Sequence, residues 1–240
     1  MRTIHAIARR EIRAYFHSPI AYIVLLLFVV ASAFYFFNVE KFFSSNRAEV
    51  RGFFKHVPLI FLVLVPGLTM RLWSEEKKLG TLELLMTLPV PKHEYVLGKF
   101  FGAWFLVACA LLFTLPIPIT VGMVGPLDAG PVLGGYLAAL LLGGTFVALG
   151  LFMSALTENQ IVALLGAIIL GIALYIPGTE TFTQFLSNSE VGFFRSLGIG
   201  ARFESIERGV VDFRDLLYYV SLIVVFPVAN VVVLHGRRWN

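Results

Sequence analysis

The chain has 240 residues, of which 58% are hydrophobic and 14% are charged, and its mean hydropathy is +0.83. Soluble domains contain about 45–50% apolar and about 25% charged residues, so this chain carries more apolar surface than a water-soluble fold can bury. The composition excludes a soluble domain and predicts an integral membrane protein that forms one domain over residues 1–240. The net charge of +4 is better explained by anchoring at anionic lipid than by nucleic acid, so no nucleic-acid partner is expected.

An amphipathic helix over residues 3–17 is predicted to lie in the plane of the lipid headgroups. One arc of this helix is basic, and the opposite arc is apolar and contains residues such as Ile7 and Tyr15. Glu11 falls within the apolar arc, where a carboxylate is unusual. It is expected either to pair with a basic residue of its own chain or to contact a partner protein.

Six apolar segments are long enough, or nearly so, to cross a hydrocarbon core of about 30 Å. They are predicted to be helices, because barrel strands alternate apolar and polar residues and only a helix satisfies its own backbone in lipid. The second and fifth segments are short and contain prolines, and a tilt or kink is expected in the second. The predicted spans are Pro19–Phe37, Val57–Leu72, Tyr95–Val121, Val132–Leu156, Ile161–Pro177 and Leu216–His235.

The distribution of Lys and Arg predicts that both termini are cytoplasmic. A basic segment precedes the first span, and Arg237 and Arg238 follow the last one. Cytoplasmic loops carry an excess of Lys and Arg, and an even number of spans returns the chain to the side on which it started. We therefore expect a multi-pass protein with the connections after the second and fourth spans in the cytoplasm. The expected location is the inner (cytoplasmic) membrane of a bacterial or archaeal cell.

The connection between the second and third spans is more elaborate than a simple turn. Ser74 is predicted to cap a helix whose first turn is acidic, because carboxylates are favourable near a helix N-terminus. Gly80 is expected to break that helix and Thr81 to cap a second one, which ends before a pair of prolines. A short helix with one charged and one apolar side is suited to insertion into a cleft of a cytoplasmic motor protein.

Motifs for nucleotide binding and catalysis do not occur in the sequence. There is no G-x-x-x-x-G-K-[ST] P-loop, no H-E-x-x-H and no G-x-S-x-G, and the five His lack the spacing of metal ligands. The interiors of the predicted spans are expected to be free of charged side chains, which argues against a proton relay and an intramembrane aspartic protease. We therefore expect no enzyme activity, cofactor or metal in this chain, and an energy source on another protein.

Small residues at every fourth position form stripes on three of the predicted spans. Such stripes allow helix backbones to approach closely within a membrane. Packing between spans of one chain and packing between subunits both remain open as explanations. The stripes consist of Gly98 and Gly102, of Gly135, Ala139 and Gly143, and of Ala163, Ala167 and Gly171.

Three segments of the chain carry a family resemblance. The segment FLVLVPGLTMRLWSEEKKLGTLELLMTLPVPKHEYVLGKF resembles the second span, coupling helix and third span of ABC-2-type transporter permeases. The segments IARREIRAYFHSPIAYI and ARFESIERGVVDFRDLLYYVSLIVVFPVANVVVLHGRRW are similar to the two ends of the permease associated with the gliding-motility ABC system. Together they extend the resemblance over most of the chain.

The resemblance implies a dimer of identical or paralogous permeases above two cytoplasmic ABC ATPase subunits, which hold the ATP and Mg²⁺. It also allows an auxiliary extracytoplasmic subunit. The turn after the fourth span resembles a second cytoplasmic connection of the family, and its Glu158, Asn159 and Gln160 are expected either to touch the motor or only to cap a helix. The contact with the ATPase is assigned by the resemblance to Glu75, Glu76, Lys77, Lys78, Thr81, Leu82, Glu83 and Leu84.

The family also has short outer helices before the last span, and Ala201–Asp215 is expected to supply one here. Its apolar side, formed by Phe203, Ile206 and Val210, is a candidate to cap a translocation path. The expected function is export driven by a partner ATPase, with an amphipathic or lipid-linked cargo favoured by the uncharged spans. The alternative is a non-transporting scaffold in which the ATPase drives motility or assembly, and a stand-alone channel or secondary carrier ranks third.

Overall fold

The structure, a computed structural model, describes residues 2–45, 49–185 and 187–236. Within these ranges every regular element is helical, and six helical stretches are long and apolar enough to cross a membrane. The protein is therefore an all-α integral membrane protein, as predicted, while Arg237 and Arg238 lie outside the described residues. The six candidate spans are Pro19–Val39, Arg51–Lys78, Lys92–Val124, Ala129–Leu156, Gln160–Gly178 and Phe213–Gly236.

Several spans consist of more than one helix. The first span ends in a π-helical turn, Tyr35–Val39, and the fifth ends in a 3₁₀ turn, Ile176–Gly178. The α-helices are α1 (Arg2–His17), α2 (Pro19–Phe34), α3 (Phe42–Ser45), α4 (Arg51–Thr69), α5 (Arg71–Lys78), α6 (Thr81–Thr87), α7 (Lys92–Phe113), α8 (Pro116–Val124), α9 (Ala129–Leu156), α10 (Gln160–Tyr175), α11 (Glu180–Thr183), α12 (Asn188–Leu197), α13 (Ile199–Glu207) and α14 (Phe213–Gly236).

The apolar arc of α1 packs against the first turns of α7. Ile7 is buried there, and the two glycines of the first small-residue stripe lie at the contact, whereas the buried Tyr15 donates its hydroxyl hydrogen to the carbonyl of Leu68 in α4. A Cβ atom on Gly98 would lie 2.6 Å from Cγ2 of Ile7, and one on Gly102 would lie 2.8 Å from Cβ of Glu11. Only glycine permits this approach, so the first stripe serves packing within the chain.

The other two stripes also lie at contacts between spans of the same chain. The ring of Phe54 from α4 occupies the space that a side chain at Gly135 of α9 would need. Leu62 of α4 lies against Gly171 of α10 in the same way, 2.8 Å from the position of a Cβ atom. Packing within the chain therefore accounts for residues of all three stripes.

The bundle has two ends, which we call proximal and distal. The proximal end contains α1, α5, α6 and the connection between α9 and α10. The distal end contains α11, α12 and α13, together with the start of α4 and the connection between α8 and α9. The connection between the second and third spans, which the sequence predicts to bind a motor protein, lies at the proximal end.

The outer helix at the distal end is shorter than predicted. α13 ends at Glu207, because Gly209 adopts a positive φ of 85° that terminates the helix, and α14 begins at Phe213. The predicted range Ala201–Asp215 and the predicted apolar side are therefore wrong in part: Phe203 and Ile206 are buried, whereas Val210 lies beyond the helix and is 62% exposed.

A candidate coupling site at the proximal end

The second span continues to Lys78 without a free helix N-terminus near Ser74. The regular helix is interrupted at Met70, between α4 and α5, although the N–H of Met70 still donates to the carbonyl of Pro66 at 2.8 Å. Ser74 lies inside α5, is fully buried, and donates its hydroxyl hydrogen to the Met70 carbonyl. The prediction that Ser74 caps a helix is therefore wrong, because the span extends two turns further than its apolar residues indicated.

The break at Gly80 is confirmed. Gly80 has a φ of 70°, a left-handed conformation that glycine adopts at no steric cost, and α6 begins at the next residue. Thr81 is the first residue of α6 rather than its cap, since its hydroxyl donates to the carbonyl of Glu76 at 3.2 Å. α6 ends at Thr87, ahead of the prolines as predicted.

The residues assigned to the coupling helix do not share one face. Leu82 is buried at 8% exposure and packs inside the protein, whereas Leu84 is 68% exposed and Leu79 is 67% exposed. Glu76 and Lys77 are partly buried, and both make contacts within the chain. We give the name docking surface to exposed residues of α5, of the connection that follows it and of the first turn of α6, namely Glu75, Lys78, Leu79, Thr81, Glu83 and Leu84.

A buried ionic cluster lies behind the docking surface and joins three helices. Lys99 of α7 is 2% exposed, and its Nζ donates to Oε1 of Glu76 at 2.8 Å and to Oε1 of Glu11 at 3.2 Å. The same Nζ donates to the carbonyl of Leu72 at 2.8 Å. Arg10 completes the group, with its guanidinium 2.9 Å from Glu11 and 3.6 Å from Glu76. We call Arg10, Glu11, Glu76 and Lys99 the Lys99 cluster.

The carboxyl group of Glu11 is stabilised as an anion within its own chain. Burial alone would raise the pKa of Glu11, but the charges of Lys99 and Arg10 outweigh it and lower this pKa below its usual value. Of the two alternatives for Glu11, the structure shows the pairing within the chain. The carboxylate lies in the apolar arc of α1 because its partner comes from α7.

Lys99 is the residue that the sequence argument missed. It lies one turn inside the predicted third span, so the expectation of uncharged span interiors is wrong at this position. The signal in the sequence was the unexplained carboxylate of Glu11, which needs a buried cation. No spacing rule relates residues 11, 76 and 99, because their proximity depends on how α1, α5 and α7 pack.

The two connections at the proximal end are neighbours. Lys77 donates to the carbonyl of Ala155, in the last turn of α9, where a cation is favourable. Asn159 caps α10 by accepting a hydrogen bond from the N–H of Ile161 at 2.9 Å, so its capping role is confirmed. Glu158 is exposed beside it, and Gln160 is the first residue of α10.

A cavity of about 540 Å³ opens between α1 and the α5–α6 pair. Its wall combines both signs of charge with apolar side chains, and the Lys99 cluster forms its floor. The site therefore offers shape and charge for a partner surface. The residues that line it are Arg10, Glu11, Ala14, Tyr15, Arg71, Leu72, Glu75, Glu76, Leu79, Thr81, Leu84, Leu85 and Lys99.

Six apolar helices, with an amphipathic helix and an exposed two-helix connection at one end, define a multi-pass membrane protein. The family model of the ABC-2 family transporter proteins matches residues 5–188, and the chain belongs to this family. It is thus a membrane permease component of an ABC transporter. The match ends at the first residue of α12, so the rest of α12, α13 and α14 lie outside it. A comparison with curated proteins gives no match.

Proposed function

We propose that the chain is the permease subunit of an ATP-driven exporter and that its docking surface binds a separate cytoplasmic ATPase carrying ATP and Mg²⁺. The observation that carries this proposal is the pair of exposed leucines, Leu79 and Leu84, among charged residues on short helices attached to the bundle. An exposed apolar patch rimmed by charge is typical of a protein interface. On this proposal the protein lies in the inner membrane, and its proximal end faces the cytoplasm.

The attachment of the docking surface supports a coupling role. Glu76 in α5 is linked to α1 and α7 through the Lys99 cluster, and Lys77 is linked to the end of α9. A displacement of α6 by the ATPase is therefore passed to the third and fourth spans and to α1 at once. Coupling of this kind needs buried, directional contacts, since loosely packed elements would absorb the motion.

The partners within the membrane are proposed on the same basis. Large apolar side chains such as Leu26 of α2, Ile169 of α10 and Val232 of α14 are exposed on the bundle. These faces are available to lipid and to a second permease, identical or paralogous. A relationship to the gliding-motility subfamily, export of an amphipathic or lipid-linked cargo, and an auxiliary extracytoplasmic subunit are further parts of the proposal that the family match leaves open.

The substitution Leu84→Asp tests the docking surface. It places a charge at the centre of the exposed patch without touching the buried side of α6, so folding is expected to survive and binding of the ATPase to be lost. Desolvating an unpaired carboxylate in an apolar contact costs several kcal/mol, enough for at least a hundredfold loss of affinity, about 2.7 kcal/mol. The measurement is co-purification with the proposed partner ATPase, followed by titration of its ATP hydrolysis.

The matched control is Val211→Asp, which adds the same charge at an exposed apolar position of the distal end. It is expected to leave ATPase binding unchanged. Leu82→Asp is unsuitable, because Leu82 is buried and the variant would test folding. Wild-type binding and stimulation by the Leu84→Asp protein would show that the docking surface lies elsewhere.

Transport itself is tested in proteoliposomes that contain the permease and its ATPase. ATP-dependent movement of a labelled amphipathic cargo, abolished by Leu84→Asp, is the expected result. ATP hydrolysis that is stimulated by the permease but moves no cargo from a panel of lipids and amphiphiles would favour the scaffold alternative.

A further inference from the structure

The junction between the second span and the docking surface has an unusual hydrogen-bonding arrangement. The helix is interrupted at Met70, although Met70 itself keeps a helical backbone conformation with φ of −53° and ψ of −32°. In an uninterrupted helix the N–H groups of residues 73 and 74 donate to the carbonyls of residues 69 and 70. Here the N–H groups of Trp73 and Ser74 both donate to a side chain of another span.

That side chain is Ser154, in the last turn of α9. Its Oγ accepts from the N–H of Trp73 at 3.0 Å and from the N–H of Ser74 at 3.1 Å, and it donates to the carbonyl of Met70 at 2.8 Å. Ser154, Trp73 and Ser74 are all fully buried, so water does not offer these groups a partner. A single hydroxyl thus completes the hydrogen bonding of the interrupted turn.

A glycine in the fourth span allows the hydroxyl of Ser154 to reach the second span. Gly150 lies one turn before Ser154 on the same face of α9, and a Cβ atom there would overlap Oγ1 of Thr69. Thr69 in turn donates to the carbonyl of Val65 at 3.0 Å, within its own helix. A larger residue at position 150 would therefore push the junction away from Ser154.

The junction has two ways to satisfy its hydrogen bonds. In the observed form Ser154 accepts from residues 73 and 74. In a continuous helix the same N–H groups return to the carbonyls of Thr69 and Met70, and the hydroxyl of Ser154 is free to donate within its own helix, as buried serines commonly do. Because the number of hydrogen bonds is similar, exchange between the two forms would leave no buried N–H group unpaired, as a joint that moves during each cycle requires.

We propose that residues 69–74 form the hinge between the second span and the docking surface, and that Ser154 is the positioning residue that holds the hinge in its interrupted form. This inference deepens the proposed function and rests on it for its role in coupling. The hydroxyl connects the position of the docking surface to the fourth span. When α5 slides relative to α9, the hydrogen bonds to Ser154 are exchanged for hydrogen bonds within the second span. Motion at α6 therefore changes the packing of α9.

The variant Ser154→Ala tests the hinge in the permease alone, reconstituted in nanodiscs. Spin labels on Cys residues that replace Glu83 and Glu158, in a Cys109→Ala background, report the distance between α6 and the α9–α10 connection. We expect Ser154→Ala to shift the distance distribution towards a second population, because the interrupted form loses its partner. Amide hydrogen exchange at Trp73 and Ser74 is expected to change by about three- to tenfold, the effect of one hydrogen bond.

The matched control is Ser32→Ala, since Ser32 is also a buried serine of a span but its hydroxyl has no hydrogen-bond partner among the described residues. It is expected to leave the distance and the exchange unchanged. Ser154→Cys nearly keeps the volume of the side chain but replaces the hydroxyl with a weaker donor and acceptor. If Ser154→Ala does not fold, amide hydrogen exchange is measured on Ser154→Cys. An intermediate exchange rate is the expected result for Ser154→Cys.

A purely structural serine would behave differently. If Ser154→Ala only lowers the unfolding temperature, with a wild-type distance distribution, the hinge is refuted; wild-type exchange at residues 73 and 74 in Ser154→Cys refutes it equally. The failure of the proposed function is a separate outcome. ATPase binding that survives Leu84→Asp, together with a shifted distance in Ser154→Ala, would leave the hinge in place and overturn the docking surface.

Discussion

The substitution Lys99→Met removes the central cation of the Lys99 cluster and keeps the length and volume of the side chain nearly unchanged. Nζ of Lys99 makes hydrogen bonds of 2.8 Å to Glu76, 3.2 Å to Glu11 and 2.8 Å to the carbonyl of Leu72, and all three are lost. Two carboxylates then remain mostly buried with Arg10 as their nearest cation. The guanidinium of Arg10 is half exposed and lies 3.6 Å from Glu76, so it compensates only in part.

The expected cost follows from this geometry. Removing one partner of a buried ion pair destabilises a protein by about 3–5 kcal/mol, because the remaining charge stays buried without compensation. Since Arg10 still pairs with Glu11, we expect the lower end, about 3 kcal/mol. Replacing the three mostly buried charges together, as in Lys99→Met with Glu11→Gln and Glu76→Gln, leaves only the half-exposed Arg10 charged. This triple variant is expected to recover the free energy of unfolding to within about 1 kcal/mol of the wild type.

The assay is reversible unfolding by SDS in mixed micelles, followed by circular dichroism and by tryptophan fluorescence. One of the three tryptophans is Trp73, whose ring centroid lies 4.9 Å from Nζ of Lys99. Lys78→Met removes a charge at an exposed position of the same segment and serves as the control. A loss below about 1 kcal/mol for Lys99→Met would refute the reasoning. A triple variant no more stable than Lys99→Met would refute it as well, because the cost would then not come from the stranded carboxylates.

Two further predictions concern the packing and the distal end. Gly150→Ala is expected to destabilise the protein by about 1–3 kcal/mol, because its methyl group overlaps Thr69. Thermal unfolding checks this against Gly67→Ala, whose Cβ meets no atom within 4 Å; equal losses in the two variants would contradict it. Burial, opposed by Arg51, raises the pKa of Glu207 from 4.5 to about 7. Between these two pH values the folded protein binds more protons than the unfolded chain, so the free energy of unfolding falls as the pH rises from about 4.5 to about 7. Glu207→Gln is expected to flatten this profile by about 2–3 kcal/mol, and parallel pH profiles of the two proteins would show that the carboxyl is not held in a buried site.

The spans could be predicted from the sequence because lipid imposes a simple rule. A stretch of about 20 apolar residues must be helical, whatever surrounds it. The break at Gly80 was equally accessible, since a glycine between two amphipathic pieces favours a left-handed residue. The second span illustrates the limit: its predicted end was Leu72, but the helix runs to Lys78, because polar residues continue a helix as readily as apolar ones.

The sequence predicted which segment contains the candidate site, but not which of its side chains are exposed. Leu82 and Leu84 are equally apolar and only two residues apart, yet one is buried and the other exposed. With α6 only seven residues long, its periodicity cannot say which side faces the bundle. The exposed leucines became evident only once α5 was placed against α9 and α1.

The sequence by itself determined that this protein is a bundle of membrane-spanning helices whose connection at residues 71–91 is longer and more amphipathic than a simple turn. Those properties follow from composition and local pattern, which act over a few turns of one helix. The tertiary structure alone decided that Glu11, Glu76 and Lys99 form one cluster and that Ser154 completes a turn of the second span. Buried polar groups must find partners wherever packing provides them, and packing joins residues that are tens of positions apart in the chain.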